Sequence, residues 1–103
     1  MSRGEVYWTE LPDERRRPAV VLTRDAALPV LRKVTVAFMT QTIREIPTEV
    51  RLGESDGMPK ECVITLDNVR TIHRGFLRDR ITSLSGPKMH EVCNALAIAT
   101  GCG

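Results

Sequence analysis

The chain has 103 residues, 42% of them hydrophobic and 27% charged, with a formal net charge of +2. That length suits one domain, residues 1–103, around a single small core. No apolar run approaches the roughly 20 residues needed to cross a bilayer, and a charge so near neutrality does not by itself indicate a nucleic-acid partner.

The N-terminus, Met1-Ser2-Arg3-Gly4-Glu5, runs straight into a strand-like pattern with no apolar signal region, so a cytoplasmic protein is expected. Residues 4–11 read as a first strand, with Val6 and Trp8 on one side and Glu5, Tyr7 and Thr9 on the other. Pro12-Asp13-Glu14 breaks it, and a second strand starts at Arg17-Pro18. Two strands so close together suggest an antiparallel hairpin.

Residues 15–24, Arg15-Arg16-Arg17-Pro18-Ala19-Val20-Val21-Leu22-Thr23-Arg24, organise the rest. Val20 and Val21 favour extended backbone because branching at Cβ stiffens χ1. Pro18 lacks a donor and fits the first residue of a strand, and it biases Arg17 towards extended geometry. Arg17 is therefore expected at a strand mouth, where its planar fork could be aimed at a phosphate. Arg15 and Arg16 read equally well as phosphate contacts or as a solvated loop. Arginine supplies 12 of the 15 basic residues, and it grips phosphate bidentately where lysine cannot.

Residues 26–31 contain Pro29 and read as a loop. Residues 34–40 form a third strand with Val34, Val36 and Phe38 on one side. Pro47 leads into a fourth at residues 49–52, closed by the turn-rich residues 53–59. Residues 62–66 and 69–72 read as strands separated by a bend at Asp67-Asn68. Residues 74–80 suggest a helical turn before a short strand at 81–84. Gly86-Pro87 starts a helix with Met89, Val92, Cys93 and Leu96 at helical spacing, and Gly101 is placed to end it. Strands followed by one helix indicate a small, mainly β antiparallel barrel with a C-terminal helix.

Cys62, Cys93 and Cys102 are odd in number and lack Cys-x-x-Cys spacing, which suggests neither a disulfide framework nor a zinc site. Cys93 in particular is expected as small apolar filler, and Cys102 as an exposed thiol. With two histidines and no ligand-like spacing, no metal site is expected. A phosphate-binding glycine loop, a nucleophile elbow and a His-Glu-x-x-His motif are all missing from the sequence.

Five stretches in order carry a resemblance: Arg3-Gly4-Glu5-Val6-Tyr7-Trp8, Arg17-Pro18-Ala19-Val20-Val21-Leu22-Thr23, Met39-Thr40-Gln41-Thr42, Pro47-Thr48-Glu49-Val50 and Leu66-Asp67-Asn68-Val69-Arg70-Thr71-Ile72. Together they cover almost the whole chain, which resembles the MazF/PemK family of toxin endoribonucleases. The resemblance implies an SH3-like barrel, a homodimer, an RNA substrate cut without metal or cofactor, and a MazE-like antitoxin with an acidic tail in the RNA groove. It implies catalytic roles for Arg17 and Thr40, and on the PemK branch for Asp67. One departure stands out. The longer first loop of many members, with Gly-Ser-Glu-Gln, is reduced here to Pro12-Asp13-Glu14-Arg15-Arg16. The better-known substrate preferences do not carry over, and a more open groove would suit a structured RNA such as a tRNA.

Metal-free RNA cleavage needs a base for the 2′-hydroxyl, an acid for the leaving oxygen and fixed donors for the developing charge. Arginine, with a pKa above about 12, is a poor base, so Arg17 is expected to clamp phosphate and stabilise the transition state. Thr40 would donate to a phosphate oxygen or simply end its strand, and Asp67 is the natural base or a turn residue. Arg15, Arg16, Thr42, Asn68 and Arg70 are the candidate RNA contacts, with a salt-bridge role equally open for Arg70. His73 reads as an exposed structural histidine, and Trp8 and Phe38 as core. Two rivals differ in class. One is a non-enzymatic CcdB-like toxin that binds DNA gyrase, against which stands the aromatic-free end Ala99-Thr100-Gly101-Cys102-Gly103. The other is a small RNA-binding barrel without cleavage.

Overall fold

The computed structural model describes residues 1–102; Gly103, the last residue of the aromatic-free end, lies outside the described residues. Six strands and one helix follow in order: β1 (Glu5–Thr9), β2 (Arg17–Val21), β3 (Lys33–Thr40), β4 (Glu49–Leu52), β5 (Cys62–His73), β6 (Leu77–Ser83) and α1 (Gly86–Thr100). The strands form one antiparallel sheet in the order β4-β5-β3-β2-β1-β6. This is the expected mainly β class with a C-terminal helix. Its edge strands β4 and β6 are not hydrogen-bonded neighbours, so the sheet is open rather than a closed barrel.

Period-two alternation sorts the strand residues into two cores. Val6, Val20, Ala37, Met39, Val50, Leu52, Ile64 and Leu66 pack with Val92 and Ala95 of α1 on one side. Ala19, Val21, Val34, Val36, Phe38 and Ile72 pack with Leu28 and Leu77 on the other. Helix α1 starts where Ser85 Oγ accepts from Lys88 N at 3.2 Å, with Pro87 in the first turn. It ends at Gly101, whose φ of 71° is the left-handed cap that glycine adopts without strain.

Three local expectations change. Asp67-Asn68 does not interrupt the strand, because β5 runs unbroken from Cys62 to His73. Its register against β3 instead slips there, from Ala37↔Val69 to Met39↔Ile64, so residues 65–68 lie opposite Phe38 alone. The last strand starts earlier than expected, at Leu77, after a single 3₁₀ turn at Arg74–Phe76. Cys93 is exposed and Cys62 is the buried thiol. The helix turns about 100° per residue, so seating Val92 and Ala95 rotates Cys93 out to the surface, 3.2 Å from Arg3 Nη2. Cys102 is an exposed free thiol.

Candidate active site

Neighbouring residues of an extended chain point to opposite sides, and at the mouth of β2 this separates Arg17 from Arg16. Arg17 shares its side with Ala19 and Val21. Its guanidinium carbon lies 4.3 Å from the centre of the Phe38 ring. Arg70, from β5, reaches the same ring at 5.6 Å. Phe38 is fully buried, and the two cations are part of its cover. Stacking on a ring restrains a guanidinium while leaving N–H groups at its rim free to bond.

One carboxylate stands between the two arginines. Arg70 Nη1 donates to Glu14 Oε1 at 3.0 Å and to Oε2 at 3.2 Å, and Arg17 Nη2 lies 3.5 Å from Oε1. The side chains remain 35% (Arg17), 42% (Arg70) and 34% (Glu14) exposed, which leaves the cluster open to a ligand.

The pairing Ala19↔Phe38, Val20↔Ala37, Val21↔Val36, carried two residues further, sets Arg17 opposite Thr40 at the end of β3. Thr40 Oγ1 accepts from the backbone N–H of Thr42 at 3.2 Å. Its own hydroxyl hydrogen is left to donate. Asp67 lies in the register slip opposite Phe38, between Leu66 and Val69, which both pack on the helix side. It is exposed, and its Oδ2 accepts from Thr48 Oγ1 at 2.6 Å. Asn68 sits half-buried in the same slip, and Thr42 is exposed at the rim.

Arg16 goes elsewhere. Its guanidinium lies 4.7 Å from the centre of the half-buried Trp8 ring, donates to Asp79 Oδ2 at 2.8 Å and is 3.9 Å from Glu10. Arg15 is exposed on the β1–β2 connection. The structure thus brings Arg17 and Arg70 together over Phe38, sets Thr40 opposite Arg17 with Thr42 beside it, and sends Arg16 to the other side, while no hydrogen bond or ion pair among the described residues joins Asp67 or Asn68 to Arg17. His73 is exposed, accepts from Gly75 N at 3.0 Å and meets Phe76 edge-on.

Sequence reading missed three contributors. Phe38 was legible as core but not as the platform under two arginines, although it stands two residues before Thr40 in an alternating strand. Glu14 is the one acid next to the arginine run, a local charge signal that could have singled it out. Glu49 keeps only 2% of its side chain exposed. Its Oε1 accepts from Arg44 N at 2.9 Å and Glu45 N at 3.1 Å, holding Glu45 in a left-handed conformation with φ 56°. Its Oε2 is buried with no hydrogen-bond partner among the described residues, 3.8 Å from Arg44 Nη1. Glu49 thereby fixes the 41–48 connection that carries Thr42 and Thr48.

The acidities of Glu5, Tyr7 and Cys62 are shifted, each by a local cause. Burial raises the Glu5 carboxyl, but donation from Ser2 N, Tyr7 Oη and Arg80 outweighs it and holds the group below its ordinary 4.5. Burial, together with the bond to Glu5, pushes the Tyr7 phenol up. Burial pushes the Cys62 thiol up and keeps it unreactive.

The family described as PemK-like, MazF-like toxin of type II toxin-antitoxin system matches residues 2–100. The chain is 42% identical over 102 residues to a probable endoribonuclease MazF5 of Mycobacterium tuberculosis, covering 98% of this chain and 94% of the relative. It is 34% identical over 110 residues to the endoribonuclease MazF of Staphylococcus saprophyticus, covering 98% and 92%. An endoribonuclease solved in complex with its cognate antitoxin, from a mycobacterial species, superposes with a TM-score of 0.90 at 28% identity, over 100% of this chain and 97% of that one. The Mycobacterium tuberculosis toxin MazF-mt6 gives 0.88 at 29%, over 96% and 98%.

Proposed function

Because this chain belongs to the PemK-like, MazF-like family and is an RNA-cleaving toxin of a type II toxin–antitoxin pair, we propose that it cuts single-stranded RNA on the Arg17 side of the sheet, without a metal ion. Residues 1–103 act as one toxin domain, as a cytoplasmic homodimer that a cognate MazE-like antitoxin holds in check. An endoribonuclease of similar structure solved in complex with its cognate antitoxin supports that partner. The observation that carries the site is a pair of guanidiniums stacked on Phe38 that share Glu14 as their one ion-pair partner among the described residues.

In the proposed reaction the 2′-oxygen of one nucleotide attacks the adjacent phosphorus, and the 5′-oxygen of the next leaves. The products are a 2′,3′-cyclic phosphate and a 5′-hydroxyl. Asp67 takes the 2′ proton on Oδ1, since Oδ2 is engaged by Thr48. Arg17 holds the non-bridging oxygens and hydrogen-bonds the leaving 5′-oxygen, which takes its proton from water while Asp67 returns the 2′ proton to solvent, so that the charge of Arg17 counts most as the phosphorane forms. Thr40 donates its hydroxyl hydrogen to a phosphate oxygen. Arg70, Asn68, Thr42 and Arg15 contact flanking nucleotides, where recognition of unstacked bases and backbone is expected. Arg16, on the Trp8 side, contributes at most a distant backbone contact.

The test is incubation of purified protein with total RNA in excess EDTA, beside Arg17→Ala. Discrete fragments with 5′-hydroxyl ends, absent with the variant, are expected. Intact RNA from folded, antitoxin-free protein would overturn the proposed metal-free mechanism.

A further inference from the structure

Glu14 occupies the place between Arg17 and Arg70 that an anionic ligand would take. We infer that Glu14 is an internal competitor for the RNA phosphodiester, which RNA must displace to reach Arg17 and Arg70. The inference rests on the Arg17 side being the RNA site, and adds to it a residue that sets affinity rather than one that does chemistry.

Three observations carry it. Both Glu14 oxygens accept from Arg70 Nη1, and Oε1 also faces Arg17 Nη2. A carboxylate here offers the guanidiniums what a phosphodiester offers, two anionic oxygens that an arginine fork can grip together. Second, Glu14 reaches this position by a local turn, with its N–H donating to Leu11 O at 3.3 Å and Asp13 at a φ of 59°. Aspartate tolerates that left-handed conformation but does not prefer it, so a small backbone change at Asp13 withdraws the carboxylate. Third, the pair is weak by construction. A partly exposed ion pair with one contact at 3.5 Å gives its carboxylate roughly a twofold to fivefold advantage.

Such a competitor selects for ligand size. A lone phosphate has to displace a tethered carboxylate at high local concentration. A strand of RNA brings several phosphates, and contacts at its neighbours offset the displacement.

The test measures binding of a 2′-O-methyl oligonucleotide, which cannot be cleaved through its 2′-oxygen, to wild type, Glu14→Gln and Glu14→Asp. Thermal unfolding checks that each variant is folded. Glu14→Gln should bind about threefold to fivefold more tightly, Glu14→Asp by less, and the gain should vanish when Arg70→Gln is added. Equal binding by wild type and Glu14→Gln would overturn the inference and leave the pair as surface decoration. A loss of about 100-fold in kcat for Glu14→Gln on cleavable RNA, without tighter binding, would overturn it in favour of proton transfer by Glu14. Tighter binding by Glu14→Gln with no cleavage by wild type would sustain the inference and sink the proposed mechanism instead.

Discussion

Two aromatic rings in this protein carry arginines, and the two settings differ in how those arginines are paired. On the Trp8 side, Arg16 and Arg78 face Glu10 and Asp79, two cations to two anions. On the Phe38 side, Arg17 and Arg70 share Glu14 as the one carboxylate within ion-pair distance of either among the described residues. Arg16 and Arg17 are adjacent in the chain, so composition and local sequence are nearly the same for both. What separates them is the extended backbone that Pro18 imposes, which throws successive side chains to opposite sides. A balanced cluster can serve as surface packing. Two cations that stack on a buried ring and share one ion-pair partner, with a threonine opposite, are fitted to hold a phosphodiester.

The largest expected effect falls on Asp67. Asp67→Asn should lower cleavage by about 10²- to 10⁴-fold and remove the acidic limb of the pH–rate profile, as loss of a base does. Near wild-type cleavage across pH by this variant would reassign the base. Phe38→Leu sharpens the comparison from beneath. It keeps most of the volume and should destabilise by less than about 1.5 kcal/mol, but it removes the platform under both cations. Cleavage should fall about tenfold while unfolding shifts little, because misplacement of catalytic groups is costly; an unchanged rate would mean that the ring only fills the core.

The smallest effect is on acid stability. Glu5 is held below its ordinary 4.5 in the folded chain, so its contribution is present above about pH 4.5 and fades as pH falls through the lower folded value. Urea unfolding of Glu5→Gln between pH 3 and 6 should show a gentler acid loss than wild type. An identical slope would mean that the bonds from Ser2, Tyr7 and Arg80 are not maintained in solution.

The legible parts of the sequence were those set by local chemistry. Pro18 marked the mouth of β2 and Arg17 with it, Gly86-Pro87 and Gly101 marked the ends of α1, and alternation gave the strands. The cluster itself depends on partners far apart in the chain. Glu14 meets Arg70 across 56 residues, and Asp67 faces Phe38 only because β5 slips against β3. No local pattern encodes a slip that pairs four residues with one. The helix shows the same limit: stripes through Cys93 or through Ala95 fit the spacing equally well, and packing against β4 and β5 chose Ala95. The resemblance pointed to Arg17, Thr40 and Asp67 together, whereas the residues alone gave a reason for Arg17 only.

The proposed RNA site lies on the side of the sheet where Arg17 and Arg70 share one ion-pair partner. The most direct measurement is cleavage of one single-stranded oligonucleotide in EDTA by Arg17→Gln and Arg16→Gln, side by side. Arg17→Gln should lose about 10²- to 10³-fold in kcat. Arg16→Gln should stay within about twofold and lose at most about 1 kcal/mol of stability, as exposed ion pairs do. Equal losses in the two variants, or the larger loss in Arg16→Gln, would contradict the account.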